Sequence, residues 1–249
     1  MLKPLTITWT FRTPVVSRQD YPVMLDGLLA FAAVQRDHRE NGMDEKNPWG
    51  AQDRLPLGQE SGVWQASQVV FTPAGDRQVF IMTRRFEMNN FAENLEMTKG
   101  FSEEPTGHEA HLQARIKAHG FVSKSGKNKI PSEMGPFRAF LMENGCRWME
   151  KAQAWCIGDK EEVETLLNEI THLGPLSRNG WGSVRDVTVA EATEEEADNW
   201  RLRPLPPEAG LEHPRFAYAL AHQGLKPPYW KRTEYRKALV PTLAEMMPA

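Results

Sequence analysis

Apolar and polar residues alternate strictly near the start of the chain. The apolar positions are Leu5, Ile7, Trp9 and Phe11, and threonines stand between them. Because successive side chains of a strand point to opposite faces, this period of two predicts a β-strand with one buried face.

Two later segments have the spacing of amphipathic helices. From Leu25 onward, apolar residues recur at i, i+3, i+4 and i+7, which predicts a helix over about residues 25–38. Asp159, with Glu162 three positions later, has the pattern of a helix N-cap. A single apolar stripe follows, formed by Val163, Leu166, Leu167, Ile170 and Leu173. We expect this second helix to end at Leu173, before Gly174-Pro175.

Four further segments have strand-like composition, at about residues 63–71, 78–86, 147–157 and 183–192. The first two flank a Pro-Ala-Gly-Asp turn and predict a hairpin. The complete order is strand, helix, two strands, strand, helix, strand. It predicts an α+β fold with a ferredoxin-like (RRM-like) split β-α-β sheet.

Two regions lack this regular patterning. Residues 87–146 form a long insertion with weak periodicity, so we expect residues 1–199 to form one domain that carries it. Residues 200–249 are interrupted by prolines. We expect them to form an appended segment packed on the domain, mostly irregular, with short helices near residues 215–222 and 231–246.

Composition excludes several classes of protein. The 249 residues include 30 Lys and Arg against 33 Asp and Glu, a net charge of −3, with 40% apolar residues. This is globular composition and argues against a uniformly basic nucleic-acid coat protein.

With no signal-peptide stretch and no membrane-length apolar run, a cytoplasmic protein without membrane contact is expected. The two cysteines, Cys146 and Cys156, predict buried thiols rather than disulfides or a zinc site.

The charge is unevenly distributed along the chain. Residues 115–138 hold six Lys and Arg against the single acid Glu133, and Lys124, Lys127 and Lys129 lie where no apolar residue anchors them. Such a loop suits phosphate contacts, and Arg84-Arg85 would extend the patch; a solvated surface loop is the alternative.

A second basic cluster lies in the C-terminal segment. It consists of Lys226, Lys231, Arg232, Arg236 and Lys237, with Tyr229 and Trp230 among them. Mixed cations and aromatics are typical of single-strand nucleic-acid binders, and equally of the polar face of a docking helix. Acidic residues between 191 and 198 form a further patch suited to protein partners.

The loop Gly174-Pro-Leu-Ser-Arg-Asn-Gly-Trp-Gly182 joins the second helix to the last strand. Its glycines allow close backbone approach, so their N–H groups can face a phosphate while Arg178 supplies charge and Trp181 a stacking face. The order differs from nucleotide-binding loops, whose glycines precede a helix. A plain connection with Trp181 in the core is the alternative.

Enzymatic signatures are sparse in this sequence. His108 and His111 lie three residues apart without further ligands at a suitable spacing, so neither a metal site nor a cofactor is expected. The remaining catalytic hypothesis is a metal-independent ribonuclease with His38 as general acid or base. A histidine at a helix C-terminus also interacts favourably with the helix dipole, which gives His38 a purely structural alternative.

Two motifs in this order resemble the repeat-associated (RAMP) superfamily of CRISPR proteins. They are Leu25-Asp-Gly-Leu-Leu-Ala30, which opens the first helix, and the glycine loop before the last strand. The chain is most similar to the Cas-five-like (Csf-three) subunit of type IV effector complexes. The resemblance covers about residues 1–200 and, more loosely, the tail with Lys-Pro-Pro-Tyr-Trp (226–230).

The resemblance implies a non-catalytic RNA-binding subunit in RNA-guided defence against foreign DNA. It would hold the 5′ repeat-derived handle of the crRNA and cap the backbone, with residues 87–146 as the family's thumb. The implied loop contacts are Arg178, Asn179, Gly180, Trp181 and Gly182. The implied partners are crRNA and the backbone, large and processing subunits, and contact with target DNA stays open. The alternatives are a repeat-cleaving endoribonuclease of the same superfamily and an interaction module without RNA.

Overall fold

A computed structural model describes residues 1–16, 22–44, 46–84 and 140–242 of the chain. The chain divides into two compact units. One comprises Met1–Gln78 with Gly145–Ala249, and the other comprises Val79–Asn144.

The described residues form the following strands and helices. The strands are β1 (Lys3–Phe11), β2 (Val15–Val16), β3 (Gln59–Glu60), β4 (Val63–Trp64), β5 (Val70–Pro73), β6 (Gln78–Arg84), β7 (Phe140–Arg147), β8 (Met149–Gly158), β9 (Val184–Glu191), β10 (Tyr218–Gln223) and β11 (Arg236–Pro241). The helices are α1 (Leu25–Asn41) and α2 (Lys160–Leu167).

The main sheet has the strand order β5-β8-β1-β9, and all its neighbouring strands are antiparallel. β1 is a central strand, and its alternation is confirmed: Leu5, Ile7 and Trp9 are fully buried while the threonines between them are half-exposed. Buried residues of both helices join the apolar side chains of β1 in one core cluster. One face of the sheet thus carries the helices, and the other carries the threonines.

The two predicted helices are confirmed, but the second is shorter than expected. The Asp159 carboxylate accepts the backbone N–H of Glu162 at 3.5 Å and caps α2 as predicted. Ile170 and Leu173 are buried, although α2 ends at Leu167. The N–H of Ile170 donates to the Leu167 carbonyl, which closes a tighter turn. The spacing of apolar residues indicates which side chains are buried, and Ile170 and Leu173 are buried although they lie beyond the end of the helix.

The predicted hairpin of the third and fourth elements is wrong. β5 pairs with β8, whereas β6 belongs to a separate sheet with the order β2-β7-β6. The register of β5 against β8 shifts at Thr72/Pro73, and proline has no N–H with which to continue a ladder. The chain therefore leaves the main sheet at this point. β7 lies at the end of the segment that the sequence assigned to the insertion.

The two helices predicted in the C-terminal segment are also wrong. β10 and β11 occupy these positions as an antiparallel hairpin, in which Leu220 lies opposite Leu239. Extended pairing lets the segment bury Ala238 completely, in a second core with Trp200 and Leu205. Residues 243–249 lie outside the described residues.

Both cysteines are free and buried, as predicted. Burial raises the pKa of the Cys156 thiol to about 12, so this group stays protonated at neutral pH. Among the described residues, no helix has the length and apolar character required to cross a membrane.

Candidate nucleic-acid interface

The glycine-rich loop has a backbone that only glycine adopts readily. Gly174, Gly180 and Gly182 have φ values of 89°, 83° and 67°. A Cβ atom at Gly182 would lie 2.0 Å from the Leu173 carbonyl oxygen. Gly182 is therefore required by both its conformation and its surroundings.

Hydrogen bonds fix the loop against the segment that follows β1. The Thr13 hydroxyl donates to the Gly180 carbonyl at 2.8 Å and accepts the Ser183 N–H at 2.9 Å. The Gly182 N–H donates to the Pro14 carbonyl at 2.8 Å. The loop is thus bonded at several points to a segment distant in sequence, which holds its exposed tip in a defined shape.

Two of the three glycine N–H groups that the sequence suggested for phosphate contact are already bonded within the chain. The Gly180 N–H donates to Ser177 O at 2.9 Å, and that of Gly182 is already bonded to Pro14. The exposed tip is the turn Ser177–Asn179, which carries the side chain of Arg178. Trp181 is half-buried. Arg178 is thus the residue of the loop that supplies a positive charge for an anion. The glycines allow the backbone to form the turn that presents Arg178.

Sequence reasoning missed two other arginines at this end of the sheet. Arg12 follows β1, and its N–H donates to the Ser183 carbonyl at 2.8 Å. Arg185 is a bulge residue, because Thr10 pairs with Asp186 while the next residue of β1 pairs with Val184. Both arginine side chains are exposed. Their strand register brings their backbones beside the loop, and the sequence gives no signal of this bulge.

Within the described part of the chain, Arg12, Arg178 and Arg185 form no ion pairs. Guanidinium groups bind phosphate through paired N–H donors. Three arginines without an ion pair among the described residues, one in the glycine loop and two at the strand ends next to it, therefore form a candidate surface for a nucleic-acid backbone.

Several predicted site residues lie outside the described residues. These are Lys124, Lys127, Lys129 and Arg85, together with His108 and His111. The backbone of Arg84 forms the end of β6. The proposed role of the basic insertion therefore stays a prediction.

His38 is held by a backbone carbonyl. Its Nε2 lies 2.7 Å from the Pro48 oxygen, and because a carbonyl only accepts, Nε2 carries the hydrogen. Among the described residues, no group of three or more His, Cys, Asp or Glu side chains is placed to hold a metal ion. The geometry of His38 thus favours its structural alternative.

The acidic patch is largely engaged within the chain. Glu191 pairs with Lys3 at 2.5 Å, and Glu196 accepts hydrogen bonds from Thr6 and Trp155. Burial raises the pKa of Glu196, but hydrogen bonds from Thr193, Trp155 and Thr6 lower it by more. Glu194 and Glu195 are exposed. The surface left for a partner is smaller than the sequence suggested.

The described residues define an α+β protein with antiparallel sheets, few helices and a rigid glycine loop that presents an arginine. The two sequence motifs resemble those of the RAMP proteins of CRISPR systems. The family model for the CRISPR type IV associated protein Csf3 matches residues 3–241. The chain belongs to this family.

Two solved structures are similar to this chain at low identity. One is described as the cryo-EM structure of the Type III-B Cmr-beta bound to cognate target RNA. It shares 11% identity with a TM-score of 0.37, and the match covers 77% of this chain and 62% of that chain. The other is oligomeric Cmr4 from Pyrococcus furiosus, with 14% identity, a TM-score of 0.23, and coverage of 78% and 100% respectively. Comparison with curated proteins gave no match.

Proposed function

We propose that this chain is a guide-RNA-binding subunit of a type IV CRISPR effector complex. It holds the 5′ repeat-derived handle of the crRNA and caps one end of the backbone of subunits. The observation that carries the proposal is the glycine loop, whose fixed turn presents Arg178 to solvent. The strand ends next to this loop carry the exposed Arg12 and Arg185. Because the chain belongs to a type IV CRISPR family, we propose the crRNA as the nucleic acid that this surface meets.

The strand order supports a ferredoxin-like frame for this role. α1 follows β1, α2 follows β8, and the sheet order is β5-β8-β1-β9. In this frame the loop between α2 and β9 lies at the end of the central strand. We include in the proposal a domain of residues 1–199 whose basic insertion, with Lys124, Lys127 and Lys129, gives a second RNA contact.

The proposed role is non-catalytic. Guide-RNA complexes leave sequence reading to base pairing, so a protein subunit needs only to hold the backbone and shape of the RNA. Cleavage would need a general acid or base at the 2′-hydroxyl. His38 is the residue that the sequence offered for this task, and its Nε2 proton is bonded to Pro48.

A matched pair of charge reversals tests the loop. Arg178→Glu should weaken binding of the repeat RNA from the accompanying CRISPR array roughly tenfold at fixed salt, since it replaces a phosphate partner by a repelling charge. Lys160→Glu makes the same charge change on an exposed residue at the start of α2. That site lies near the opposite end of β1, about 30 Å along the strand at 3.3 Å per residue.

The affinities are measured by fluorescence anisotropy, and cleavage of the same RNA is followed on a denaturing gel. An unchanged dissociation constant for Arg178→Glu, or equal losses in both variants, would remove the loop from the proposal. Repeat cleavage that is abolished by His38→Ala would overturn the non-catalytic role.

A further inference from the structure

A groove lies between the outer face of α1 and the C-terminal segment. Its volume is 1140 Å³, above the roughly 300–1,000 Å³ of pockets that enclose one small ligand. Phe31 of α1, Trp49 of the following turn, and Trp230 and Arg232 of the C-terminal segment line it. The groove has room for a short stretch of polymer.

Three aromatic side chains of this groove are open to solvent. Trp230 is 71% exposed, Phe31 is 61% exposed and Trp49 is 51% exposed. Exposed aromatic surface that is grouped in one place marks a binding site more often than scattered residues do. Here the three rings come from three separate segments and share one groove.

The floor of the groove is fixed by buried hydrogen bonds. The Tyr229 hydroxyl donates to the Asp26 carboxylate at 2.8 Å and accepts from the Arg203 guanidinium at 2.9 Å. Tyr229 immediately precedes Trp230, and the Tyr235 hydroxyl donates to the Tyr229 carbonyl at 2.9 Å. The segment that presents Trp230 is therefore held in place, which lowers the ordering cost of binding.

The surroundings of the groove are positive. None of its described lining residues is an aspartate or a glutamate, and residues 222–242 contain five Lys and Arg against the single acid Glu234. Lys237 lies opposite His222 in the hairpin, and Arg236 lies opposite Gln223. Successive residues of a strand point to opposite faces, whereas opposite residues of antiparallel strands share a face. Because His222 and Gln223 line the groove, the register places one of these two cations on its side of the hairpin.

We propose that this groove binds single-stranded nucleic acid. Unpaired bases stack on Trp230, Trp49 and Phe31, and phosphates lie near Arg232 and the cation of β11 that lies on the groove's side of the hairpin. The described lining residues combine accessible rings with a cation and include no carboxylate, and this suits a polyanion with aromatic bases better than an apolar protein segment. This site uses segments distinct from the glycine loop, so it stands even if the handle binds elsewhere.

The test uses the full chain and two fluorescein-labelled homopolymers of about 12 nucleotides, oligouridylate and oligothymidylate. Trp230→Ala should weaken binding about 5- to 150-fold, from roughly 1–3 kcal/mol of stacking per base, and Trp230→Phe should retain part of the affinity. The matched control Trp148→Ala removes another exposed tryptophan, 47% exposed, that does not line the groove. Its affinity should equal that of the wild type.

Two further readouts separate this site from the glycine loop. Arg232→Gln should flatten the plot of log affinity against log salt by about 0.7 for one lost phosphate contact. In an Arg178→Glu background the effect of Trp230→Ala should persist. Oligonucleotides with 5-bromouridine or its deoxy form should photo-cross-link to peptides that contain Trp230 or Trp49.

Binding of the RNA probe, the DNA probe or both supports the proposal, and the preferred probe identifies the source of the strand. Binding of neither probe would overturn it. So would equal losses in Trp148→Ala and Trp230→Ala, or cross-links confined to other segments. If Trp230→Ala leaves both probes bound but weakens association with another effector subunit, the groove is a protein-docking site and the proposal fails.

Discussion

The carboxylate of Asp26 and the guanidinium of Arg203 form an ion pair of 3.1 Å across 177 residues of sequence, and both side chains are fully buried. Asp26 is the second residue of α1, within the Leu-Asp-Gly-Leu-Leu-Ala motif, while Arg203 belongs to the C-terminal segment. The aspartate of this motif therefore pairs with a residue of the C-terminal segment.

This ion pair is part of a larger network of hydrogen bonds. Arg203 also donates to the carbonyls of Trp64, Ala66 and Leu225. Burial raises the pKa of Asp26, and the Arg203 charge and the Tyr229 hydroxyl oppose that shift. The network joins α1, the segment before β5 and the C-terminal segment.

Replacing Arg203 by methionine should destabilise the protein by about 3–5 kcal/mol, because Asp26 would remain buried without its cation. Chemical denaturation at pH 7 measures this loss as a fall in the free energy of unfolding.

The double variant Asp26→Leu/Arg203→Met serves as the control, since it removes both charges together. It should be more stable than Arg203→Met alone. If the two are equally unstable, the cost of Arg203→Met comes from lost packing rather than from an isolated carboxylate.

The sequence predicted those elements whose apolar periodicity arises from one buried face. β1, β8, β9 and both helices lie where the patterns placed them, and the Asp159 cap is present. The Asp26–Arg203 pair was beyond prediction, because an aspartate in the first turn of a helix is ordinarily explained by the helix dipole. Its burial depends on a tail whose position the sequence leaves undetermined.

The errors have a common physical origin in tertiary pairing. β10 and β11 were expected as helices, and only their mutual register and the burial of Ala238 make them strands. At the candidate site, the glycine loop in the sequence was enough to suggest Arg178 as a site residue. The sequence did not suggest Arg185, because its position depends on a bulge that appears only when β1 and β9 pair.

Gly182→Ala should destabilise the fold more than an alanine at any other left-handed glycine of this loop. The new Cβ would lie 2.0 Å from the Leu173 oxygen, at a φ of 67°, so the backbone must move. Thermal unfolding by circular dichroism measures the fall in Tm.

Gly180→Ala isolates the cost of the backbone conformation. Gly180 also has a positive φ, but apart from its chain neighbours no atom of the described residues lies within 4 Å of its Cβ position. This substitution should cost only about 1–2 kcal/mol. Equal losses for the two glycines would show that the contact with Leu173 relaxes easily.

Cys156 should resist alkylation in the folded protein. Its burial raises the pKa of the thiol to about 12, and the thiolate is the reactive form. Native protein treated with iodoacetamide at pH 8 should show an unmodified Cys156 peptide by mass spectrometry, whereas protein in denaturant should be modified. Rapid modification under native conditions would contradict the burial of this strand.

His213 should make stability depend on pH. Its imidazole is 3% exposed, its Nδ1 accepts the Arg215 N–H at 3.1 Å, and its ring centroid lies 4.5 Å from that of Phe216. Burial lowers its pKa, the nearby Arg215 and Arg201 lower it further, and Asp198 partly opposes them. The folded state thus favours the neutral ring.

Because the folded pKa of His213 lies below its ordinary value of about 6.5, this contribution to stability is complete above that pH. It is lost as the pH falls below about 6.5, where the unfolded chain binds a proton that the folded chain resists. His213→Gln should therefore flatten the decline in unfolding free energy between about pH 7 and pH 5, by at most about 1.4 kcal/mol per pH unit for one proton. Urea titrations at several pH values measure the slopes of the wild type and of His213→Gln, and identical slopes would mean that the His213 ring titrates alike in both states.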